Sequence, residues 1–270
     1  MIKSSKLWLI PAAFFAVCCV LNLVGCLTDG NLERCVKPAL MLLLCLTTVT
    51  YLFPRLRLSL LAGSRFATLP TSPRSWAPPS SGAEGGTFLP TETAAGEGAE
   101  IMTVLLLCGQ LFGFAGDTML LGKGFPFFAG GIGLFLIGHV FYICLFGGKS
   151  WKGLKAWHWI AAMAACLALV AGLILAIGVN GMMLLPMSIY GFVLALLMFS
   201  TLAGAIRFGG ITWWALFAGA VLFSISDALI AVHKFSGISY SMSGFVVMST
   251  YLAAQTLLAA GGIRIILGKD

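Results

Sequence analysis

Eight stretches of about 20 mostly apolar residues follow one another along the chain, each long enough to cross the hydrocarbon core of a bilayer as an α-helix. The stretches show none of the period-two alternation that marks the short strands of outer-membrane barrels. The pattern therefore predicts an all-α, polytopic bundle of eight transmembrane helices. The predicted spans are residues 7–27, 37–54, 101–121, 126–147, 156–178, 182–206, 212–233 and 243–267.

Composition supports a location within the membrane. Of the 270 residues, 60% are hydrophobic and 9% are charged, and the mean hydropathy is +1.02. Soluble domains average roughly 25% charged residues, so the chain is predicted to be membrane-integral. The formal net charge of +7 fits attraction to anionic lipid headgroups, and we expect no nucleic-acid partner.

The basic residues are distributed unevenly over the two sides of the predicted topology. Twelve Lys and Arg lie at the two termini and in the loops after spans 2, 4 and 6, and four lie on the opposite side. Because Lys and Arg near span ends are retained in the cytoplasm, both termini are predicted to be cytoplasmic.

The eight cysteines show no CxxC or Cys/His spacing, so they are interpreted as small buried apolar residues. The sequence LVGC at residues 23–26 has two interpretations. It resembles a bacterial lipoprotein cleavage site, which would make span 1 a removable signal, or it supplies small residues near the end of a retained helix, which we expect. The topology suits the endoplasmic reticulum as well, but LVGC favours a bacterial inner membrane.

Residues 55–100 interrupt the apolar pattern with a Pro-, Ser- and Gly-rich segment that holds five of the ten prolines and four of the nine acids. Such a segment buries too little apolar surface to offset the entropy lost on ordering. The prediction is one membrane domain with helices 1–2 in residues 1–54, a disordered cytoplasmic loop in residues 55–100, and helices 3–8 in residues 101–270.

Two acids, Asp117 and Asp227, lie inside predicted spans, and the other seven lie in loops or at the C-terminal residue. An ionisable group at membrane depth costs at least about 2.5 kcal/mol on insertion scales and generally faces the bundle interior. Both acids fall at a similar depth in the half of the bundle away from the cytoplasm. Two interpretations stay open: a pair that shares a proton and divides the roles of acid and base, or two separate hydrogen-bonding struts between helices.

The sequences around the two acids are similar to each other. FAGDTMLL at residues 114–121 and SISDALIA at residues 224–231 both place a small residue on each side of Asp, before an apolar run. The two acids lie four spans apart, as expected if spans 1–4 and 5–8 are parallel repeats. The pattern favours two parallel four-helix repeats.

Polar side chains at helical spacing accompany the acids and are predicted to line one buried cavity with them. Gly113 and Gly116 would leave space beside Asp117, either for a neighbouring helix or for a lipid chain and water. Plain structural explanations compete for two candidates, packing for Tyr190 and snorkelling to the interface for Lys37. The candidate binding or orienting residues are Lys37, Gln110, His139, Tyr142, Tyr190, Ser224, Tyr251 and Gln255.

Metal-dependent chemistry lacks support in the sequence. His139 is the only histidine well inside a predicted span, and no second His stands at a metal-ligand spacing from it. No Walker, GxSxG, SxxK or dinucleotide motif is present either. We therefore predict neither a metal nor a cofactor.

Five separated motifs resemble, in order and approximate spacing, those of the YhhN family, which includes the eukaryotic lysoplasmalogenases. One departure is Leu252, where a second aromatic residue is expected after Tyr251. The resemblance covers most of the chain outside residues 55–100. The motifs are KPALMLLL (37–44), GDTMLL (116–121), GLFLIGHVFY (133–142), LFSISDALIAVHKF (222–235) and TYLAAQTLL (250–258).

The resemblance implies an eight-helix membrane hydrolase that cleaves the vinyl ether of lysoplasmalogens to a fatty aldehyde and a glycerophospho-ethanolamine or -choline. It assigns Asp117 and Asp227 as the catalytic pair and a lysophospholipid within the bilayer as the substrate. Two alternatives remain. A proton-coupled transporter would use the same carboxylates, although no proline falls mid-span to interrupt a helix, and a lipid-binding scaffold would tolerate Asp to Asn changes.

Overall fold

The computed structural model describes residues 6–28, 31–66, 92–236 and 243–269, and within these ranges it contains helices and no strand. In this part of the chain, eight helices are long and apolar enough to cross a membrane, which confirms the all-α fold class and a multi-pass integral membrane protein. Their bounds are α1 Leu9–Leu27, α2 Asn31–Phe66, α3 Glu92–Leu120, α4 Phe125–Ser150, α5 Ala156–Ile177, α6 Leu184–Phe208, α7 Gly210–Ala231 and α8 Ser243–Ile266.

Turn residues account for where several helices begin and end. Pro126 lies in the first turn of α4, where a missing backbone N–H breaks no helical hydrogen bond. Gly178 ends α5 with a φ of 76°, in the left-handed region that favours glycine. Gly209 and Gly210 also have positive φ, at 65° and 71°, and they let the chain reverse directly from α6 into α7.

Helices α2 and α3 continue beyond the membrane span at both edges of the segment predicted as a loop. Helix α2 runs through Pro54 to Phe66, and α3 begins at Glu92. Leu- and Arg-rich residues after Pro54 and Ala- and Glu-rich residues before 101 are good helix formers, which explains why both ends are helical rather than disordered. Residues 67–91 of the predicted loop lie outside the described residues.

Consecutive helices pack against each other except α4 and α5, since α4 packs on α6 instead, and α8 closes the bundle. Helix α8 packs against α7 and also touches α1, α2 and α3, while α4 packs against α3 and α6. Each contact between neighbouring helices α1 to α4 has a counterpart among α5 to α8, and the α2–α8 contact corresponds to the α4–α6 contact. This arrangement agrees with parallel repeats, which stay a prediction, as does the cytoplasmic side of the termini.

Glycines allow close packing around α3 and α4. A Cβ on Gly138 would lie 3.1 Å from the Gly109 carbonyl oxygen, so two backbones approach each other directly there. A Cβ on Gly116 would lie 2.9 Å from the Phe135 ring, and one on Gly113 would lie 3.2 Å from the Met41 side chain. Of the two uses predicted for the glycines beside Asp117, the structure therefore shows packing against neighbouring helices.

Candidate functional site

Asp117 and Asp227 line the same cavity, which lies between α3, α4, α6, α7, α8 and the start of α2. It encloses about 540 Å³ of space not filled by protein atoms, its open mouth included. The two acids of α3 and α7 thus lie at one site, as their similar predicted depths suggested. The apolar part of the wall includes Leu120, Phe128, Ile132, Phe135, Met187, Ile230, Val247 and Met248.

Asp117 is buried between a cation and a phenol. Its side chain is 3% exposed, and the Lys37 ammonium nitrogen lies 4.0 Å from one carboxyl oxygen. The hydroxyl of Tyr251 donates to the other carboxyl oxygen at 2.5 Å. Snorkelling to the interface was a competing explanation for Lys37, but its side chain is only 15% exposed and pairs with Asp117 within the cavity wall.

Asp227 has a different environment. The hydroxyl of Tyr190 on α6 donates to one of its carboxyl oxygens, and among the described residues no Lys, Arg or His nitrogen lies within 4.0 Å of it. Tyr190, for which simple packing was a competing explanation, therefore contacts the acid directly. Each acid therefore accepts a hydrogen bond from its own tyrosine, Tyr251 of α8 for Asp117 and Tyr190 of α6 for Asp227. The second tyrosine thus comes from α6 and not from position 252 of α8, next to Tyr251.

A chain of hydrogen bonds continues from Asp117 into the bundle. The Gln255 amide nitrogen donates to the Tyr251 hydroxyl at 3.4 Å, and the Tyr142 hydroxyl donates to the Gln255 amide oxygen at 3.2 Å. Tyr142 and Gln255 are both buried, at 1% exposure. This series of hydrogen bonds joins α4 and α8 to the acid on α3 and holds the Tyr251 hydroxyl in place.

Five predicted candidates are not among the residues lining this cavity. Tyr142 and Gln255 connect to it only through Tyr251, and the other three have different partners. Gln110 donates to the Thr48 hydroxyl at 3.0 Å, deeper in the bundle. His139 packs edge-on against Phe223, with ring centroids 4.4 Å apart, and neither ring nitrogen has a hydrogen-bond partner among the described residues. Ser224 donates to the Ala220 carbonyl and lines a neighbouring groove instead. The sequence predicted one cavity lined by all of these side chains, and the observed cavity is lined by only some of them.

The sequence analysis missed two polar residues, one that lines the cavity and one that contacts Gln110. Ser226 lines the cavity and donates to the Val247 carbonyl at 3.1 Å, which ties α7 to α8 beside Asp227. Thr48 is the partner of Gln110. Ser226 directly precedes Asp227, and that adjacency was the available signal, whereas Thr48 resembles the other threonines of α2 and gives no signal of its own.

The site contains groups for acid and base chemistry within an apolar surrounding. Two carboxyls, two phenols and one ammonium converge on the cavity. Within the described ranges, no three His, Cys, Asp or Glu side chains come together as a metal site would require. The arrangement can donate a proton, accept one, and stabilise a cation between carboxyls.

Comparison with known proteins identifies similar chains. The chain is 29% identical to human lysoplasmalogenase TMEM86A over 165 residues, 59% of this chain and 65% of that protein. It is 29% identical to mouse lysoplasmalogenase TMEM86B over 177 residues, 66% of this chain and 70% of that protein. The matched part thus spans slightly less than two thirds of the human relative. No solved structure matches the chain.

The family comparison covers most of the helical bundle. The sequence model of the YhhN family matches residues 88–262, a range that contains both acids, Tyr190, Tyr251 and Gln255 and leaves out Lys37. It starts before α3 and ends within α8. With well over half of the chain matched, the protein belongs to the YhhN family.

Proposed function

We propose that the protein hydrolyses the vinyl ether of lysoplasmalogens, releasing a fatty aldehyde and glycerophospho-ethanolamine or -choline, with Asp117 and Asp227 as the catalytic pair. The observation that carries the proposal is the meeting of two intramembrane carboxyls, each hydrogen-bonded to a tyrosine, in one cavity. The human and mouse relatives are lysoplasmalogenases, which supports the same substrate class.

Vinyl ether hydrolysis matches the groups in the cavity. Vinyl ethers resist base but react with acid, because protonation of the β-carbon uses the π electrons to form a C–H bond and leaves an oxocarbenium ion. Water adds to that cation and gives up a proton, so a hemiacetal forms. The hemiacetal then loses its hydroxyl proton as the C–O bond to glycerol breaks, and the glycerol oxygen takes up a proton. One acid and one base, each regenerated, suffice for the cycle.

The other side chains have supporting roles in the proposal. Tyr251 and Tyr190 orient the two carboxyls, and Gln255 and Tyr142 fix Tyr251 through the hydrogen-bond chain. Lys37 lies in the cavity wall, where its charge attracts the substrate phosphate. His139, Gln110 and Ser224 take no direct part, since they lie outside this cavity.

The transporter alternative fits the helices that carry the two acids less well. Helices α3 and α7 are continuous through Asp117 and Asp227, whereas many transporters bind substrate at discontinuous helices. The continuous helices favour a fixed reaction chamber over a rocking substrate site.

Aldehyde release is the direct test of the proposed function. The purified protein in detergent receives an alkenyl-lysophospholipid, and we expect fatty aldehyde and the water-soluble glycerophospho product in equal amounts. The matched control substrate is the saturated alkyl ether of the same length, which contains no double bond to protonate and yields no aldehyde. Aldehyde formation at the protein-free rate would refute the proposal. In a separate assay with the protein in liposomes, transport of intact substrate across the membrane together with a proton would favour the transporter.

A further inference from the structure

A second groove runs between α5, α6 and α7 and encloses about 580 Å³ of unfilled space, its opening included. Its walls are apolar apart from three residues near α7, namely Ser224, Asp227 and Tyr190. Leu169 and Leu173 of α5, which line it, are 43% and 39% exposed, so the groove opens towards the lipid phase rather than towards the bundle core.

The groove and the cavity of the two acids meet at Asp227. Four residues line both of them, namely Met187, Tyr190, Asp227 and Ala231. Asp117 and Lys37 line the cavity only. The two spaces are therefore adjacent, with Lys37 and Asp117 on the cavity side, α5 on the groove side, and Asp227 at the boundary between them.

The length of the groove suits one hydrocarbon chain in one leaflet. Along α6 its lining extends from Met187 to Met198, which corresponds to about 16 Å at a rise of 1.5 Å per residue. The hydrocarbon core of a bilayer is roughly 30 Å thick, so the groove covers about half of it. A single-chain lipid with its tail in the groove and its headgroup in the cavity would therefore stay within one leaflet.

We propose that this groove holds the alkenyl chain of the substrate, which places the β-carbon of the vinyl ether at Asp227 and makes Asp227 the proton donor and Asp117 the charge-stabilising carboxylate. The inference rests on the proposed function and adds a subsite and separate roles to the pair. In a lysoplasmalogen the β-carbon lies on the chain side of the ether oxygen, and the glycerol and phosphate lie on the other side. With the tail among α5 and α6 and the phosphate towards Lys37, the β-carbon faces the groove and the oxygen faces Asp117.

The charges around each acid agree with these roles. Asp117 is paired with Lys37 at 4.0 Å, as suits a carboxylate that stabilises an oxocarbenium ion and accepts a proton from water. Asp227 has a neutral phenol as its partner and borders the apolar groove, as suits a carboxyl that carries the proton. In the first step, the Asp227 proton bonds to the β-carbon through the π electrons, and the attacking water gives its proton to Asp117. When the hemiacetal collapses, Asp117 returns that proton to the glycerol oxygen and the hemiacetal hydroxyl proton goes to Asp227, so both acids are regenerated.

Selectivity for the length of the substrate's alkenyl chain tests whether the groove holds that chain. The Leu173→Trp and Leu169→Trp variants place a larger ring in the groove, and Leu175→Trp, at an 81% exposed position of α5 that does not line it, is the matched control. We expect each groove variant to lower kcat/KM for a hexadecenyl substrate about tenfold, a usual cost of overfilling a packed site, and to leave a butenyl substrate unaffected. The Leu175→Trp protein should resemble wild type with both substrates.

Equal kcat/KM values for Leu173→Trp and Leu175→Trp on the hexadecenyl substrate would overturn the assignment of the groove. Absence of aldehyde from the wild-type protein with either substrate would instead refute the proposed function itself. The two failures are distinguishable, because only the second removes activity from every variant.

Binding of a cationic analogue tests the roles of the acids. A lysophospholipid with a secondary ammonium in place of the ether oxygen imitates the oxocarbenium charge, and the neutral alkyl ether of the same length is its control. We expect Asp117→Asn to weaken the Kd of the ammonium analogue by about 30-fold, the order of a lost buried charge pair, and Asp227→Asn to leave it nearly unchanged. Both variants should bind the neutral ether like wild type, which shows that they are folded. Equal losses in the two variants, or a larger loss in Asp227→Asn, would overturn the assignment.

Discussion

Asp117→Asn and Asp227→Asn are each expected to lower kcat for aldehyde release by about 10²–10⁴-fold, the range that a positioned general acid or base contributes. Asn has nearly the size of Asp and still accepts the tyrosine hydrogen bond, but it neither donates an acidic proton nor carries a negative charge. Removal of either group leaves the vinyl ether without one of the two functions that protonation and water addition require. The measurement is the single-turnover rate of aldehyde formation in detergent.

The matched control is Glu100→Gln, an equivalent loss of one carboxylate at an exposed position of α3, and we expect it to retain the wild-type rate. Because the two acids act as a unit, the double variant should be about as slow as the slower single variant rather than multiplicatively worse. Full rates in both single variants would refute the carboxylate mechanism even if the wild-type protein is active.

Gly204→Ala is expected to destabilise the protein strongly without touching the site. A Cβ at Gly204 would lie 2.0 Å from the ring of Trp213, which is fully buried between α6 and α7 and stacks on Phe208. Overpacking of this kind typically costs about 1–3 kcal/mol, occasionally more, and outweighs the gain of up to about 1 kcal/mol from replacing a helical glycine. The measurement is the thermal unfolding midpoint in detergent.

Gly172→Ala in α5 is the control for this substitution, because a Cβ there meets nothing within 4 Å. We expect the Gly172→Ala protein to unfold at the wild-type temperature or slightly above it. Below its own unfolding temperature, Gly204→Ala should release aldehyde at the wild-type rate, since Gly204 does not line the cavity. An unfolding midpoint for Gly204→Ala equal to that of Gly172→Ala would contradict the packing argument.

The eight helices were predictable because backbone N–H and C=O groups without hydrogen bonds are costly in lipid. A long apolar segment in the membrane therefore forms an α-helix, which satisfies all of them internally. The same reasoning directed Asp117 and Asp227 to the bundle interior, since an acid within a span faces inward, but it left open whether they form a pair or separate struts. The helical extensions beyond Pro54 and before residue 101 were missed, because loop composition was averaged over residues 55–100 and hid good helix formers at both edges.

The partners of each acid were not predictable from a single sequence. Periodicity determines which residues share a face of one helix, but not which helix lies opposite that face. Tyr190 on α6 and Tyr251 on α8 both became contacts of an acid through packing between helices. His139 has the sequence features of a site residue, but the register of α4 directs its ring onto Phe223.

The ion pair between Lys37 and Asp117 has a consequence for the proposed reaction, which releases an aldehyde nearby. A primary amine attacks an aldehyde through its nitrogen lone pair and forms an imine, which would block the cavity with the product's own carbon chain. The Asp117 carboxyl oxygen 4.0 Å from the Lys37 nitrogen holds that nitrogen at the cavity wall. Under the proposed function, the pair would therefore limit imine formation between Lys37 and the product, while the lysine charge remains available to the phosphate of the next substrate.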